Sequence, residues 1–506
     1  MQSFLAHLVR LVPAVLLLVA CGGSLAAEKA PRPDVLVIMP DQMRGDCLSI
    51  LDHPVVRTPQ FDALAREGAL FRRAYTTVPS CKPARRALLT GLYPQTSGVV
   101  GYAGRPITSP TLPQLMADAG YATALVGRNM HQVPREERYG YQTQLLASLY
   151  DGVDDGNDYD TYLEKVAPET DGINKLITDL GLSKNGWQAR PWPYADEHHR
   201  VAWIARQSRK VLADSAPDKP LFLTASFVAP HPPLYPPKKY FDYYAAAKLP
   251  QPAHGDWVDW GALSPKGDRV GHRVLLQGEP LRAAQAGYFG LIEQIDAEIA
   301  PLVEEFKARS ERAGRPWLVW LIADHGEMLG DHGYFRKCQP FEGSANIPFI
   351  IAGSTELGFR PGLRSFRPVC LEDVMPTLLE LGGVARPKVM DGVSLVPALR
   401  GARDGIRPWL HFEHATCYGK AHSFHALTDG RFKYIWRPID GREHLFDLEN
   451  DPREEHDLAK DAAHRQTLET WRATLIERLA QRPEGFSDGA RLIPGRPYPP
   501  LHPLKP

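Results

Sequence analysis

Neither sign of charge is in excess: 59 Lys and Arg stand against 59 Asp and Glu in a chain of 506 residues. With no basic surplus, no zinc-finger spacing and no aromatic-basic RNA motif, nothing argues for a nucleic-acid partner. Local basic clusters can still hold a small anion, because they act at short range. Cysteine is sparse. The six residues, Cys21, Cys47, Cys81, Cys338, Cys370 and Cys417, lie far apart without ligand spacing, which disfavours zinc. The apolar run from Leu11 to Ala20 is too short to span a bilayer. The acidic stretch DGNDYD at 155–160 lacks the calcium-hand pattern and reads as a solvated loop. There are no repeats and no low-complexity segments.

What is present is ordinary globular composition, 43% hydrophobic and 23% charged, in a chain long enough for a large domain with a smaller one appended. The 46 prolines suit a loop-rich surface. Residues 1–27 read as an export signal, with a weakly basic start (His7, Arg10) and a short apolar core. Two endings are open. LVAC, ending at Cys21, resembles a lipobox, which would lipidate Cys21 and tether the protein to a bacterial membrane. SLA before Ala27 would instead release a soluble exported, periplasmic protein. Without Cys21 the cysteines number five, and an odd thiol in an exported protein calls for its own reason.

The mature chain alternates helices with buried strands. Val35 to Met39 is a short continuous apolar run, the mark of a strand covered on both faces. TLPQLMADAG reads as a helix closed by Gly120, followed by the strand YATALVG. DEHHRVAWIARQSRKVLADS leads to the strand PLFLTASFVAP, and the long amphipathic segment 283–309 leads to PWLVWLIADHGE. This order predicts an α/β fold, a large mostly parallel sheet flanked by helices, over residues 28–390. From 391 to 506 the pattern shifts to alternating strands and a helix, a smaller α+β C-terminal subdomain. Residues 132–195 read as an irregular insertion. Trp187, Trp192, Tyr194 and Trp257 are either ring-stacking platforms or hydrophobic caps. In a parallel sheet, ligands sit beyond the carboxyl ends of the strands. Asp41, Gln42, His231, Asp324 and His325 all fall there.

Cys81 sits at the start of a helix. Pro83 suits a first helical turn, having no N–H to leave unpaired, and ARRALLTG continues the helix to Gly91. Free N–H groups and the helix dipole favour an anion at that end, and Arg85 adds a fixed charge one turn on. This is a place to hold a nucleophile against a negative group.

Cys81-Lys82-Pro83-Ala84-Arg85 matches the Cys-x-Pro-x-Arg core of the type I sulfatases, in the alkaline-phosphatase-like superfamily, and SCKPARRALLTGLYPQTSGV resembles their signature element. Ala84 stands where many members have serine. DVLVIMPDQMRGD, GYATALVGRNMH, VAPHPP, IADHGEMLGDHGYFRKCQPFEGSANIPFII and HLFDLENDPREEHDL resemble further family elements, in order along most of the chain. The resemblance implies that a separate formylglycine-generating enzyme oxidises Cys81 to formylglycine. It implies a divalent cation, Ca²⁺ or Mg²⁺, held by Asp41, Gln42, Asp324 and residue 81. His325 stands where many relatives have asparagine, so it is either a ligand or a neighbour donating to the ester. An oxygen-rich ligand set suits a hard cation.

By the same resemblance, a hydroxyl of hydrated formylglycine, stabilised by Arg85, attacks sulfur. His231 or Lys337 is the acid for the leaving alcohol, and His131 the base that releases sulfate. Arg128 stands where the family usually has lysine. The implied reaction is hydrolysis of O-sulfate esters, on a sulfated small molecule or, more specifically, a saccharide. Many sulfatases have Asp-Asp where this chain has Asp41-Gln42, a pair similar to the choline-sulfatase and phosphonate-monoester-hydrolase branches. A phosphonate monoester or phosphodiester hydrolase is therefore the alternative. A silent binding protein that never matures Cys81 is a third reading.

Overall fold

The computed structural model describes residues 31–147, 157–170, 172–267, 272–402 and 406–501. The export segment with Cys21, and part of the acidic stretch (residues 155 and 156), lie outside the described residues. Arg32 to Pro506 form one compact unit.

Its centre is an eight-stranded sheet. Across it the strands run Thr143–Leu146, Ala122–Gly127, Leu221–Pro230, Asp34–Asp41, Trp317–Ile322, Phe349–Gly353, Ala69–Phe71 and Leu363–Ser365. The first five are mutually parallel, and Phe349–Gly353 alone runs against both its neighbours. Every residue of Asp34–Asp41, Leu221–Pro230 and Trp317–Ile322 is buried. That is why these segments read as unbroken apolar runs: helices cover the sheet, so no strand face needs to be polar. Pro59–Glu67, Arg200–Asp214, Lys238–Ala246 and Gly278–Arg312 form one packed group of helices. Cys81–Thr90, Leu112–Asp118 and Val374–Leu381 form another.

The register decides where chemistry can occur. Ile38 pairs with Leu321, and Asp41 with Pro230 across a local irregularity after Pro40. The carboxyl ends of three neighbouring strands are therefore level, and the residues just past them, Gln42, His231 and Asp324, emerge side by side with Asp41. Gly127 closes a fourth strand at this edge. Its φ is +104°, and a Cβ there would lie 2.0 Å from the Ser226 carbonyl oxygen, so only glycine lets Arg128 follow so closely.

Beyond residue 406 a four-stranded antiparallel sheet, Leu410–His414, Phe424–Thr428, Phe432–Trp436 and Glu443–Asp447, is followed by the helix Arg465–Leu479. Tyr75, Phe341, Phe412, Phe424 and Phe446 share one apolar cluster. That cluster joins the antiparallel sheet to the segments on either side of Cys81 and Lys337. Among the described residues, no helix is long and apolar enough to cross a membrane.

Candidate active site

Cys81 is the first residue of the helix Cys81–Thr90, which Gly91 closes in the left-handed conformation at φ +66°. Its Sγ is buried. Lys337 Nζ lies 2.9 Å from it, His325 Nε2 3.1 Å and an Arg128 guanidinium nitrogen 3.8 Å. Burial and Asp41 push the thiol up, but Lys337, His325 and Arg128 outweigh them, and it is held below the ordinary thiol range.

Beneath Cys81 two carboxylates face two arginines. Arg85, fully buried one turn along the helix, donates from Nε to Asp324 at 2.9 Å and from its terminal nitrogen to Asp41 at 2.8 Å. Arg128 Nε reaches the same Asp41 oxygen at 2.9 Å. Burial raises both carboxyls. Arg128 and Arg85 outweigh burial and the neighbouring Asp324 at Asp41, which is held below the usual carboxylate range, and His325 with both arginines holds Asp324 well below it. The other Asp41 oxygen, Oδ1, is buried and accepts nothing. Asp41, Cys81, Asp324 and His325 each offer a ligand atom, all within 4.8 Å of one another.

His325 Nδ1 donates to the Gly326 carbonyl at 2.9 Å, which turns Nε2 toward the two carboxylates at 3.8 and 4.0 Å. Burial lowers this imidazole, yet Asp324 and Cys81 raise it above its ordinary value. An orphaned carboxylate oxygen beside an imidazole drawn toward its charged form marks a spot short of positive charge. A divalent cation fits it, and the oxygen-rich donors suit a hard one.

Lys337 completes the site from the opposite side. Its ammonium donates to Gln42 Oε1 at 3.0 Å and faces His231 Nε2 at 3.1 Å. An ammonium only donates, and His231 Nδ1 is spent on the Pro232 carbonyl at 2.7 Å, so Nε2 accepts and the ring is neutral. Burial, then Lys337 and Arg128, lower its pKa in the same sense. His131 is half-buried and touches the group only through Arg128, at 3.5 Å. Burial and the arginines hold it well below its ordinary pKa.

The structure thus brings Asp41, Gln42, Cys81, Arg85, Arg128, His231, Asp324, His325 and Lys337 into one network, with His131 at its margin. Three fixed cations, Arg85, Arg128 and Lys337, meet the Asp41 and Asp324 carboxylates there, with a third carboxylate, Glu327, bonded to Gln42.

Three supporting residues escape sequence reasoning. Glu327 accepts from Gln42 Nε2 at 2.5 Å and from the Leu329 N–H at 2.8 Å, fixing which way the Gln42 amide points. Ser226 Oγ accepts from Arg85 at 3.1 Å. His414, in the antiparallel sheet, bonds Ser80 Oγ at 2.7 Å directly behind Cys81. Glu327 was within reach, three residues past Asp324. Nothing in the sequence joins His414 to Ser80.

The aromatic candidates resolve as packing. Trp257 stacks on Phe341 at 4.7 Å and donates to the Glu454 carbonyl at 2.9 Å. Trp192 is buried, between Tyr194, His199 and Tyr235, and donates to the Ala195 carbonyl. Trp187 packs on Phe335 with ring centroids 5.8 Å apart.

A parallel sheet with an anion-favouring site at its carboxyl edge, built on a buried cysteine at a helix start, defines a class of hydrolases acting on charged esters. Residues 33–384 match the Sulfatase family, and residues 330–481 match the family described as N-sulphoglucosamine sulphohydrolase, C-terminal. An arylsulfatase from Clostridium perfringens is 34% identical over 92% of this chain and 98% of its own. A choline-sulfatase from Rhizobium meliloti is 31% identical over 85% of this chain and 83% of its own. The crystal structure of a phosphonate monoester hydrolase of Agrobacterium radiobacter superposes with a TM-score of 0.72 at 25% identity, covering 89% of this chain and 96% of its own. The chain belongs to the sulfatase family. It is a sulfuric ester hydrolase.

Proposed function

We propose that this enzyme hydrolyses O-sulfate esters of a saccharide through a formylglycine made from Cys81, with a calcium ion, or magnesium in its place, held beneath. The observation that carries the reading is the convergence of Lys337, His325 and Arg128 on Cys81 Sγ above the Asp41–Asp324 pair. The matured residue requires a separate formylglycine-generating enzyme, and its hydrate supplies the nucleophilic hydroxyl. Unmodified Cys81 has no second hydroxyl with which to release sulfate. The cation would be held by Asp41, Gln42, Asp324, His325 and residue 81, where it supplies fixed positive charge to a sulfuryl oxygen.

The side chains of the chain itself do the remaining work. Arg85 and Arg128 keep Asp41 and Asp324 ionised and aimed. Lys337 holds the proton that the leaving alcohol needs, because neutral His231 presents a lone pair to it rather than an N–H. His231 thereby orients the ammonium. His131, neutral and half-buried at the margin, is the proton acceptor for the release step. The saccharide assignment draws support from the match to the family described as N-sulphoglucosamine sulphohydrolase, C-terminal. The phosphonate and phosphodiester alternative draws support from Asp41-Gln42 and from the likeness to the phosphonate monoester hydrolase. We further propose that residues 1–27 export the protein, either soluble in the periplasm or anchored through Cys21. Residues 28–390 then act as the catalytic domain and 391–506 as its C-terminal subdomain.

The deciding experiment is mass spectrometry of the tryptic peptide AYTTVPSCKPAR from protein made in its native host. Replacement of the thiol by an aldehyde at position 81 is the expected result. An intact thiol in fully active protein would overturn the reading. Turnover of aryl sulfate well above that of aryl phosphodiester and phosphonate monoester separates the leading reaction from the alternative.

A further inference from the structure

Cys338 directly follows Lys337, and its Sγ lies 2.7 Å from Cys417 Sγ, 79 positions along the chain. Both are thiols in this structure. The separation is closer than two separate thiols rest, and little longer than the ~2.05 Å of a formed bond. We propose that Cys338 and Cys417 are joined by a disulfide in the mature protein, which clamps the segment carrying Lys337 behind residue 81.

Three observations support the clamp. The backbone around Lys337 is in an unfavourable conformation: Arg336 and Cys338 have φ of +68° and +67°. Non-glycine residues keep such angles only where surrounding structure imposes them. The Cys338 N–H donates to the Pro79 carbonyl at 2.8 Å, and Ser80 bonds His414, three residues before Cys417. A bond between the two sulfurs therefore ties together the two segments that back the Pro79–Cys81 turn.

The competing use of these thiols, a metal site with His414, is disfavoured by the imidazole. Its Nδ1 donates to the Ala415 carbonyl at 2.5 Å, and Nε2 is engaged by Ser80 Oγ at 2.7 Å. No lone pair is left for a cation.

The chemistry is thiol–disulfide exchange with a disulfide oxidant, a small-molecule or protein disulfide of an oxidising compartment. Cys417 is the more exposed thiol and Cys338 is buried. Cys417 thiolate attacks the oxidant's sulfur and expels one thiol. Cys338 thiolate then attacks the mixed disulfide at the Cys417 sulfur and expels the second. Two protein thiols lose two electrons and two protons, and one oxidant disulfide becomes two thiols.

The test uses purified full-length protein poised with oxidised glutathione, alkylated, and digested with trypsin without reduction. The expected product joins CQPFEGSANIPFIIAGSTELGFRPGLR to DGIRPWLHFEHATCYGK at two hydrogens below the summed mass, and reductant separates them. Both peptides alkylated at that poise, either one joined elsewhere, or stoichiometric zinc lost in both serine variants would overturn the proposal. Cys338→Ser, Cys417→Ser and the double variant should lower kcat/KM by one common factor, since all three remove the same bond. Losses that multiply in the double variant would refute the shared bond. The assay does not depend on where the host places the protein. The Cys81 peptide in the same digest reports maturation separately, so this proposal and the sulfatase mechanism fail independently.

Discussion

Arg85→Ala removes the cation that two buried carboxylates share. In the wild type the guanidinium is fully buried, 2.9 Å from Asp324 and 2.8 Å from Asp41. Asp41 retains Arg128 at 2.9 Å, whereas Asp324 is left with His325 and backbone N–H groups from Gln42 and His325. Removing one partner of a buried pair costs about 3–5 kcal/mol, because the other charge stays in a poorly solvating interior. Against a whole-domain stability of about 5–15 kcal/mol, the variant folds but unfolds at a much lower denaturant concentration. Arg85→Lys keeps the charge but offers a point in place of a fork, and loses one charged hydrogen bond, about 1.5–3 kcal/mol. The assay is urea unfolding followed by tryptophan fluorescence, with divalent cations chelated throughout. The expected order of midpoints is wild type, Lys, Ala. The same loss felt in the transition state corresponds to roughly two to four orders of magnitude in kcat/KM for Arg85→Ala. A midpoint for Arg85→Ala equal to that of the wild type, or below it only as far as Arg85→Lys, would refute the reasoning.

Chelating divalent cations should abolish turnover, and calcium or magnesium should restore it. At about 100 times Kd the cation adds about 2.7 kcal/mol of stability. Thermal melting should show that gain in the wild type and lose most of it in Asp41→Asn. Gly127→Ala places a Cβ 2.0 Å from the Ser226 carbonyl at φ +104° and should cost at least about 2 kcal/mol, read as a drop in melting temperature with loss of activity. Burial raises Asp296 to about 7, despite N–H groups from Phe61 and Gln60. Its folded pKa lies above the unfolded value of about 3.9, so folding favours the protonated form. This group's stability contribution is full below about pH 4 and is lost as pH rises toward 7. Asp296→Asn should flatten that part of the stability profile.

Much of the architecture was legible because burial on both faces leaves a plain mark. Val35 to Met39, PLFLTASFVAP and PWLVWLIADHGE read as strands, and they are the three central parallel strands of the sheet. The run at Phe349–Gly353 is equally apolar, but sequence carries no sign of strand direction, and that strand runs antiparallel to its neighbours. The aromatic residues were undecided for a similar reason. Trp257 on Phe341 and an exposed stacking platform have the same composition, and only the neighbours distinguish them.

The sequence by itself determined the local chemistry of this protein: a thiol at a helix start, an arginine one turn on, and polar residues just past buried strands. Those features depend on near neighbours along the chain, and spacing records them. Tertiary structure alone decided which distant groups meet. Lys337 reaches Cys81 across 256 positions, Asp41 Oδ1 is left without a donor, His414 supports Ser80, and Cys338 finds Cys417. Such contacts are fixed by strand register and by the packing of the antiparallel sheet on the segments around Cys81 and Lys337, and no spacing along the chain encodes them.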